Sequence, residues 1–135
     1  MNILQALFSH LNASTNITVY SSNRIYPLIA PQQSKMPYIT FNQISNVPVH
    51  AMGNDAPLTE YRIQISSWSS SFSNLIALST AIKGSIRDLS GTFGTSNFIV
   101  QRIFFDAEYD FPEFDIESKR IDFHRSQDYI CWTTN

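Results

Sequence analysis

The sequence is short of charged residues, and this shortage excludes one broad class of function. Only 15% of the 135 residues are charged, against about 25% in an ordinary soluble domain. Acidic residues outnumber basic ones and the net charge is −2. The chain therefore lacks the surplus of cations with which a nucleic-acid-binding protein neutralises phosphates. A small local basic patch stays open, and a surface with so few charges favours association with a partner.

Cysteine is almost absent, which removes two further possibilities. The single cysteine, Cys131, cannot form an internal disulfide and has no second thiol with which to hold a metal. Its apolar segment, DYICWTT, is typical of a small buried hydrophobic residue. The histidines at 10, 50 and 124 do not follow a metal-ligand spacing, and GTFGTS at 91–96 lacks the lysine of a phosphate-binding loop. We therefore predict no metal, no cofactor and no catalytic residues.

Long apolar runs are missing as well. No stretch approaches the roughly 18 consecutive apolar residues of a membrane helix. The first residues, MNILQALFSHL, lack the basic region and cleavage site of a secretory signal. We expect an intracellular protein without membrane contact. A hydrophobic content of 43% is still sufficient for the core of a single domain spanning residues 1–135.

Apolar periodicity predicts two helices. Apolar residues recur at helical spacing from Ile3 to Leu11, which predicts a helix over residues 2–12. A clearer helix follows the serines at 69–71, with apolar residues at steps of three or four from Phe72 to Leu89. Within it, Ile82 and Ile86 should face the sheet. We interpret Gly84 as a point where this helix approaches the sheet closely.

Alternation of β-branched and aromatic residues predicts four strands. They begin at Tyr38, Thr59, Phe98 and Lys119, and we expect the last to bend near residues 125–127. The element order α-β-β-α-β-β predicts an α+β fold of two layers, a mainly antiparallel four-stranded sheet with helices on one face. We also expect Trp68 and Trp132 to be substantially buried.

The proline-punctuated stretch before the first strand is interpreted as irregular extended chain. Prolines at 27, 31 and 37 forbid a continuous helix there and remove hydrogen-bond donors. We expect Ile25, Tyr26, Leu28 and Ile29 to cover part of the core.

Two long loops are predicted between the strands. Residues 46–58 form a connection much longer than the two to five residues usual in a hairpin. It carries Val47, Val49 and Met52, and a loop of that length is either disordered or serves a partner.

The second loop, at about 106–118, contains DAEYDFPEFDIE, with six acidic residues in twelve. It lacks the alternating oxygen ligands and the glycine of a calcium loop. Two interpretations stay open, an acidic connection between strands and a protruding tip that docks on a partner through Phe111 and Phe114.

Six short segments are more specific together than any of them is alone. They are RIYP (24–27), APQ (30–32), MPYITFNQIS (36–45), YRIQISSWSSS (61–71), LIALSTAIKGSI (75–86) and DYICW (128–132). In this order the segments resemble the tail completion proteins of long-tailed bacteriophages and prophages, the small subunits that join head to tail or terminate the tail. The acidic segment 106–117 departs from the family pattern.

The resemblance implies a non-enzymatic structural subunit with an α+β fold. It implies a ring, usually sixfold, that caps the tail tube and joins it to the head connector in the virion after assembly in the host cytoplasm. The implied partners are further copies of the chain, the tail tube protein and head connector proteins, while DNA passes through without specific binding. A ring needs two different patches on each subunit. We predict Val47, Val49 and Met52 for one patch, and Phe111 and Phe114 for the other.

Two alternatives remain at this stage. The first is another virion part of similar size, such as a connector adaptor or a minor tail subunit. The second, from a different class, is a small enzyme or ligand-binding domain with a site built from Tyr26, Tyr38, Arg62, His124 and the acidic residues. No local spacing in the sequence favours such a site.

Overall fold

The computed structural model describes residues 3–22, 24–31, 35–50, 55–87, 90–93, 98–115 and 120–134. In these residues the chain forms an α+β fold with three helices and six strands. The helices are α1 (Ile3–Ala13), α2 (Thr15–Ser21) and α3 (Phe72–Ile86). The strands are β1 (Ile25–Pro27), β2 (Tyr38–His50), β3 (Asp55–Ser69), β4 (Gly91–Phe93), β5 (Phe98–Asp115) and β6 (Arg120–Thr134).

The strands form one six-stranded sheet in the order β1-β2-β3-β6-β5-β4. The four predicted strands correspond to β2, β3, β5 and β6, which pair antiparallel with their neighbours. The prediction of a four-stranded sheet is wrong, because β1 is added parallel to β2 and β4 antiparallel to β5. Each added strand has only three residues, too few for an alternating pattern to be recognised in the sequence.

The stretch predicted to be irregular contains α2 as well as β1. Helix α2 is rich in β-branched residues, which have low helix propensity, but the burial of Ile17 fixes it against the core. Ile25 is buried as expected. Leu28 and Ile29 are 69% and 81% exposed, so the expectation that they cover the core is wrong.

Both long loops are corrected by the structure, because the described part of each segment lies in paired strands, while residues 51–54 and 116–118 lie outside the described residues. Strand β2 continues to His50 and pairs with a β3 that begins at Asp55. Strand β5 continues to Asp115 and pairs with a β6 that begins at Arg120. Pro48 and Pro112 lie in strands that, among the described residues, have a paired neighbour on one side only at these points. An edge strand tolerates proline because the missing N–H can face away from the sheet.

The expected bend at residues 125–127 is not found, since β6 pairs with β3 in a continuous register. The register shifts instead involve the outer strands. They fall between Gln43 and Ser45 and between Pro48 and His50 in β2, and between Val100 and Arg102 and between Phe105 and Ala107 in β5.

One hydrophobic core lies between the helices and one face of the sheet. The sheet contributes Ile25, Ile39, Phe41, Ile63, Ile65, Val100, Ile103, Tyr129 and Cys131, and the helices contribute Ile3, Ala6, Leu7, Leu11, Ile17, Leu78, Ile82 and Ile86. The predicted inward positions of Ile82 and Ile86 are confirmed. Cys131 is fully buried, and burial raises the pKa of its thiol to about 12.

Gly84 does not mark a close approach of α3 to the sheet. It lies on the exposed side of the helix, and a Cβ atom added there would meet nothing within 4 Å. Trp68 and Trp132 are partly buried rather than enclosed in the core. Both alternate with core residues in their strands, so they lie on the face of the sheet opposite to the helices, called the open face below.

Candidate assembly surfaces

Two hairpins extend beyond the sheet at opposite ends. Strand β3 first meets β6 at the pair Leu58 and Thr134, so residues 55–57 of β3 lie beyond the end of β6. Strand β6 first meets β3 at the pair Phe123 and Ser69, so residues 120–122 lie beyond the end of β3. Because β3 and β6 are antiparallel, the β2–β3 hairpin and the β5–β6 hairpin extend in opposite directions.

The two sets of predicted interface residues are therefore far apart. Val47 and Val49 lie in β2 near the tip of the β2–β3 hairpin, with Val47 52% exposed. Met52 lies outside the described residues. Phe111 is 48% exposed near the tip of the β5–β6 hairpin, and Phe114 is in the same strand, opposite Ile121. The structure separates the sets rather than combining them into one site.

Half of the acidic segment is tied to basic side chains. Arg62 Nη1 donates to Asp106 Oδ2 at 2.5 Å. Arg125 binds Asp110 with two nitrogens, Nε to Oδ1 at 2.6 Å and Nη2 to Oδ2 at 3.0 Å. These hydrogen bonds hold the pKa of Asp110 below its usual value. The paired acids Asp106 and Asp110 therefore belong to the sheet.

Glu108 connects the same hairpin to helix α3. Its carboxylate accepts a hydrogen bond from Gln127 Nε2 at 2.9 Å and lies 3.7 Å from Lys83 Nζ. Lys83 also lies over the ring of Phe105, 4.3 Å from its centroid. Arg125 reaches α3 through Ser79, donating to its Oγ at 3.1 Å. The hairpin is thus fixed to the helical layer by charged groups as well as by the core.

A row of aromatic rings crosses the open face. Tyr26 lies 6.2 Å from Tyr38, and Tyr38 stacks at 5.8 Å on Trp68, measured between ring centroids. Trp68 stacks on His124 at 3.7 Å, and His124 lies 5.6 Å from Phe111. The row joins β1, β2, β3, β6 and β5. It could not be predicted from the sequence, because each ring comes from a different strand.

The row of aromatic rings contains three of the residues expected in the alternative enzymatic or ligand-binding site. Tyr26, Tyr38 and His124 are brought together, but as rings packed on one another. Arg62 is six residues from Trp68 along β3, about 20 Å away at the rise of a strand, and it is bound to Asp106. His124 Nε2 lies 3.0 Å from Ser126 Oγ, and burial lowers the pKa of the imidazole.

Other kinds of site find no support in the described part of the chain. Its histidine, cysteine, aspartate and glutamate side chains do not gather in any group of three that could hold a metal ion. None of its helices is both long and apolar enough to cross a membrane. The candidate surfaces for contact with a partner are the two hairpin tips and the open face.

The fold is a two-layer α+β domain with paired charges, packed rings and two projecting hairpins. Comparison with protein families identifies its family, because the model of the family Tail completion protein gp17 matches residues 5–123. That match covers most of the chain, so the chain belongs to the tail completion protein family. It is a bacteriophage structural protein.

A solved structure has a similar fold. It is a chain of "Virion of native gene transfer agent (GTA) particle", with a TM-score of 0.76 over 98% of this chain and 95% of that one. The two sequences are only 10% identical, so the likeness concerns the fold. Comparison with curated proteins found no significant match.

Proposed function

We propose that this phage structural protein completes the end of the tail and joins the tail tube to the head connector, acting as a ring of copies without enzymatic activity. Six copies is the expected number. Its partners are the tail tube protein, head connector proteins and itself, without contact with a membrane. In this proposal the ring is assembled in the host cytoplasm and lies in the virion at the junction of head and tail.

The observation that carries the proposal is the pair of hairpins at opposite ends of the sheet. A joining subunit must contact different partners at its two ends, and the two hairpins offer different surfaces. The β2–β3 hairpin carries uncharged residues from Asn42 to Pro48, whereas the β5–β6 hairpin carries acids and aromatics up to Asp115. Strand β5 has 18 residues, a length of about 60 Å at about 3.3 Å per residue.

A ring also needs a contact between neighbouring copies. Cyclic assembly uses a heterologous contact, in which two different patches of neighbouring subunits meet. Val47, Val49 and Met52 are proposed for one patch, and Phe111 and Phe114 for the other. A chain with net charge −2 also suits the wall of a channel through which DNA passes without being held.

The test is the joining of heads to tails in vitro. Tails that lack the completion protein are mixed with filled heads and the purified protein, and joined particles are counted by negative-stain electron microscopy. We expect Val47→Asp and Phe111→Asp each to reduce joining at least about tenfold, the effect of about 1.4 kcal/mol at a contact. Val19→Asp is the matched control, because Val19 is exposed on α2 away from both tips.

The proposal is wrong if the wild-type protein stays monomeric with tail tubes present and the tails do not join heads. Chemical cross-linking and light scattering of the same mixtures measure the number of copies bound. An effect of Val19→Asp as large as that of Phe111→Asp would also count against the two tips.

A further inference from the structure

We propose that neighbouring copies in the ring pair through the edges of their sheets, β2 of one copy against β5 of the next, so that one sheet continues from subunit to subunit. This inference rests on the proposed ring. It keeps Val47 in the contact between copies, but places residues 102–107 of β5 there in place of Phe111 and Phe114. The partner that pairs with each uncovered edge is a second copy of this chain.

Both edges of the sheet are covered for only a short distance. Strand β1 pairs with β2 over Ile39–Phe41, and β4 pairs with β5 over Phe98–Val100. In the part of the chain that the structure describes, no strand pairs with the outer side of β2 from Asn42 to His50, or of β5 from Ile103 to Asp115. A long uncovered edge is a template for pairing with another chain.

Parts of the two uncovered edges lie at the same position along the strand direction of the sheet. The pairings place Ser45 opposite Arg62, Arg62 opposite Ile130, and Ile130 opposite Phe104. By the same tracing, Asn42 is level with Ala107 and Val47 with Arg102. The two stretches thus overlap over five residues along the strand direction, about 17 Å. Strand β1 lies beyond one end of this overlap and β4 lies beyond the other. We call these two stretches, 42–47 and 102–107, the edge windows.

The strand directions favour this pairing. Strands β2 and β6 run one way and β3 and β5 the other. In copies related by rotation about a ring axis, β5 of one copy therefore meets β2 of the next antiparallel, in keeping with β2, β3, β6 and β5 within each subunit. Ser45 and Phe104 are both on the open face, so the helices of all copies stay on one side. A slip of one residue would reverse the faces.

Exposed apolar side chains are present in both edge windows. Ile44 is 47% exposed and Val47 52% on β2, and Phe104 is 41% exposed on β5. Residues 42–47 are uncharged, whereas the window on β5 carries Arg102 and Asp106. Within the subunit, Asp106 is bound to Arg62. Pairing would remove these side chains from water and bind backbone groups of both strands.

The irregularities of the two edges suit a closed rather than an open assembly. The register shifts at Gln43/Ser45 and Phe105/Ala107 lie on either side of the row that joins Gln43 to Phe105, and bulges of this kind add the curvature that a closing sheet requires. Pro48 and Pro112 lack an N–H and limit pairing beyond the edge windows.

Disulfide cross-linking in the assembled ring tests the contact. Residues directly opposite in an antiparallel pair have Cβ atoms about 4.5–5.5 Å apart, close to the distance in a disulfide. The variant Ser45→Cys/Phe104→Cys, bound to tails and mildly oxidised, should give a ladder of linked subunits on a non-reducing gel. Each single variant should give none, and native Cys131 is buried. Ser73→Cys/Thr80→Cys, exposed on α3, is the matched control pair and should give no ladder.

A second pair of substitutions covers the case in which the cysteine variant does not fold. Ser45→Lys and Phe104→Glu should each raise the concentration for half-assembly about tenfold, and the two together should restore most of it, because opposite charges then face each other across the contact. Melting temperatures of the unassembled variants show whether each one is folded.

The possible outcomes distinguish a failure of the edge contact from a failure of the proposed ring. Rings seen by electron microscopy without a Ser45–Phe104 ladder and without charge rescue would overturn edge pairing and leave the joining role intact. Cross-linking of Ser45→Cys to the tail tube protein instead would also overturn it. Absence of any ring on tails would overturn the proposed function itself.

Discussion

Trp68 and His124 stack face to face, with ring centroids 3.7 Å apart and 10° between the ring planes. Tyr38 lies on the other side of Trp68 at 5.8 Å, and Trp68 Nε1 donates to Thr40 Oγ1 at 3.4 Å. These contacts join β2, β3 and β6 on the open face, where no described helix packs. The ring row supplies there some of the packing that the helices supply on the other face.

Removing the aromatic ring of Trp68, at the centre of the row, should therefore weaken the fold. We expect Trp68→Ala to lower the free energy of unfolding by about 2–3 kcal/mol, less than for a fully enclosed tryptophan, because Trp68 keeps some exposure and loses mainly stacking. Trp68→Phe, which keeps a stacking ring, should cost about 1 kcal/mol. Urea denaturation measures both, and a Trp68→Ala variant as stable as the wild type would show that the row does not stabilise the sheet.

The stability of the protein should depend on pH through His124. Burial lowers the pKa of this imidazole in the folded protein, so the unfolded chain takes up a proton at higher pH than the folded chain does. The contribution of His124 is then fully present above the unfolded pKa, about 6.5, and is lost as the pH falls through the lowered folded pKa.

The matched variant for this prediction is His124→Phe, which keeps a ring between Trp68 and Phe111 but does not titrate. Melting temperatures from pH 7.5 to pH 5 should fall further for the wild type than for the variant. Parallel curves would contradict the prediction, since all the other ionisable groups are common to both proteins.

The core could be predicted from the sequence because its signal is local. Ile39 and Phe41, Ile63 and Ile65, and the inner side of α3 follow a strand or helix period within a few residues, and the structure buries them. Helix α2 and the strands β1 and β4 could not be predicted in this way. They are short, and they form because the rest of the domain gives them a surface to pack or pair with.

The candidate surfaces were predicted less well than the core. Prolines and acids in residues 46–58 and 106–118 suggested loops, yet pairing with a neighbouring strand is enough to keep most of both segments extended. Arg62 and Arg125 neutralise Asp106 and Asp110 from other strands, which a local pattern does not reveal. Val47 and Phe111 are exposed, and their role at an interface stays a prediction.

The pair of Arg125 and Asp110 should contribute measurably to stability. Arg125 is mostly buried and binds the carboxylate with two nitrogens, a geometry stronger than that of an ordinary surface pair. We expect Asp110→Asn to cost about 1 kcal/mol at pH 7. Because the folded pKa of Asp110 is lowered, the difference should be full above the usual aspartate pKa and vanish as the pH falls through the lowered value.

Asp106→Asn is the control for this pair. Asp106 and Arg62 are both about one-third exposed and share a single hydrogen bond, so its loss should cost less than the loss of the Asp110 pair. Denaturation curves at pH 7 and pH 3 distinguish the two carboxylates. Equal costs for the two variants at pH 7 would show that the second hydrogen bond of Arg125 adds nothing.

Two glycines should respond in opposite directions to the same substitution. Gly84→Ala should raise the free energy of unfolding by about 0.5–1 kcal/mol, because alanine is the better helix former and the added Cβ meets nothing within 4 Å. Gly91 also has open space around it, but its φ of +122° is a conformation that L-residues rarely adopt. Gly91→Ala should therefore lower the free energy of unfolding by about 1–3 kcal/mol. Calorimetry of both variants measures the signs, and destabilisation by Gly84→Ala would mean that the outer side of α3 is constrained in a way that its open surroundings do not indicate.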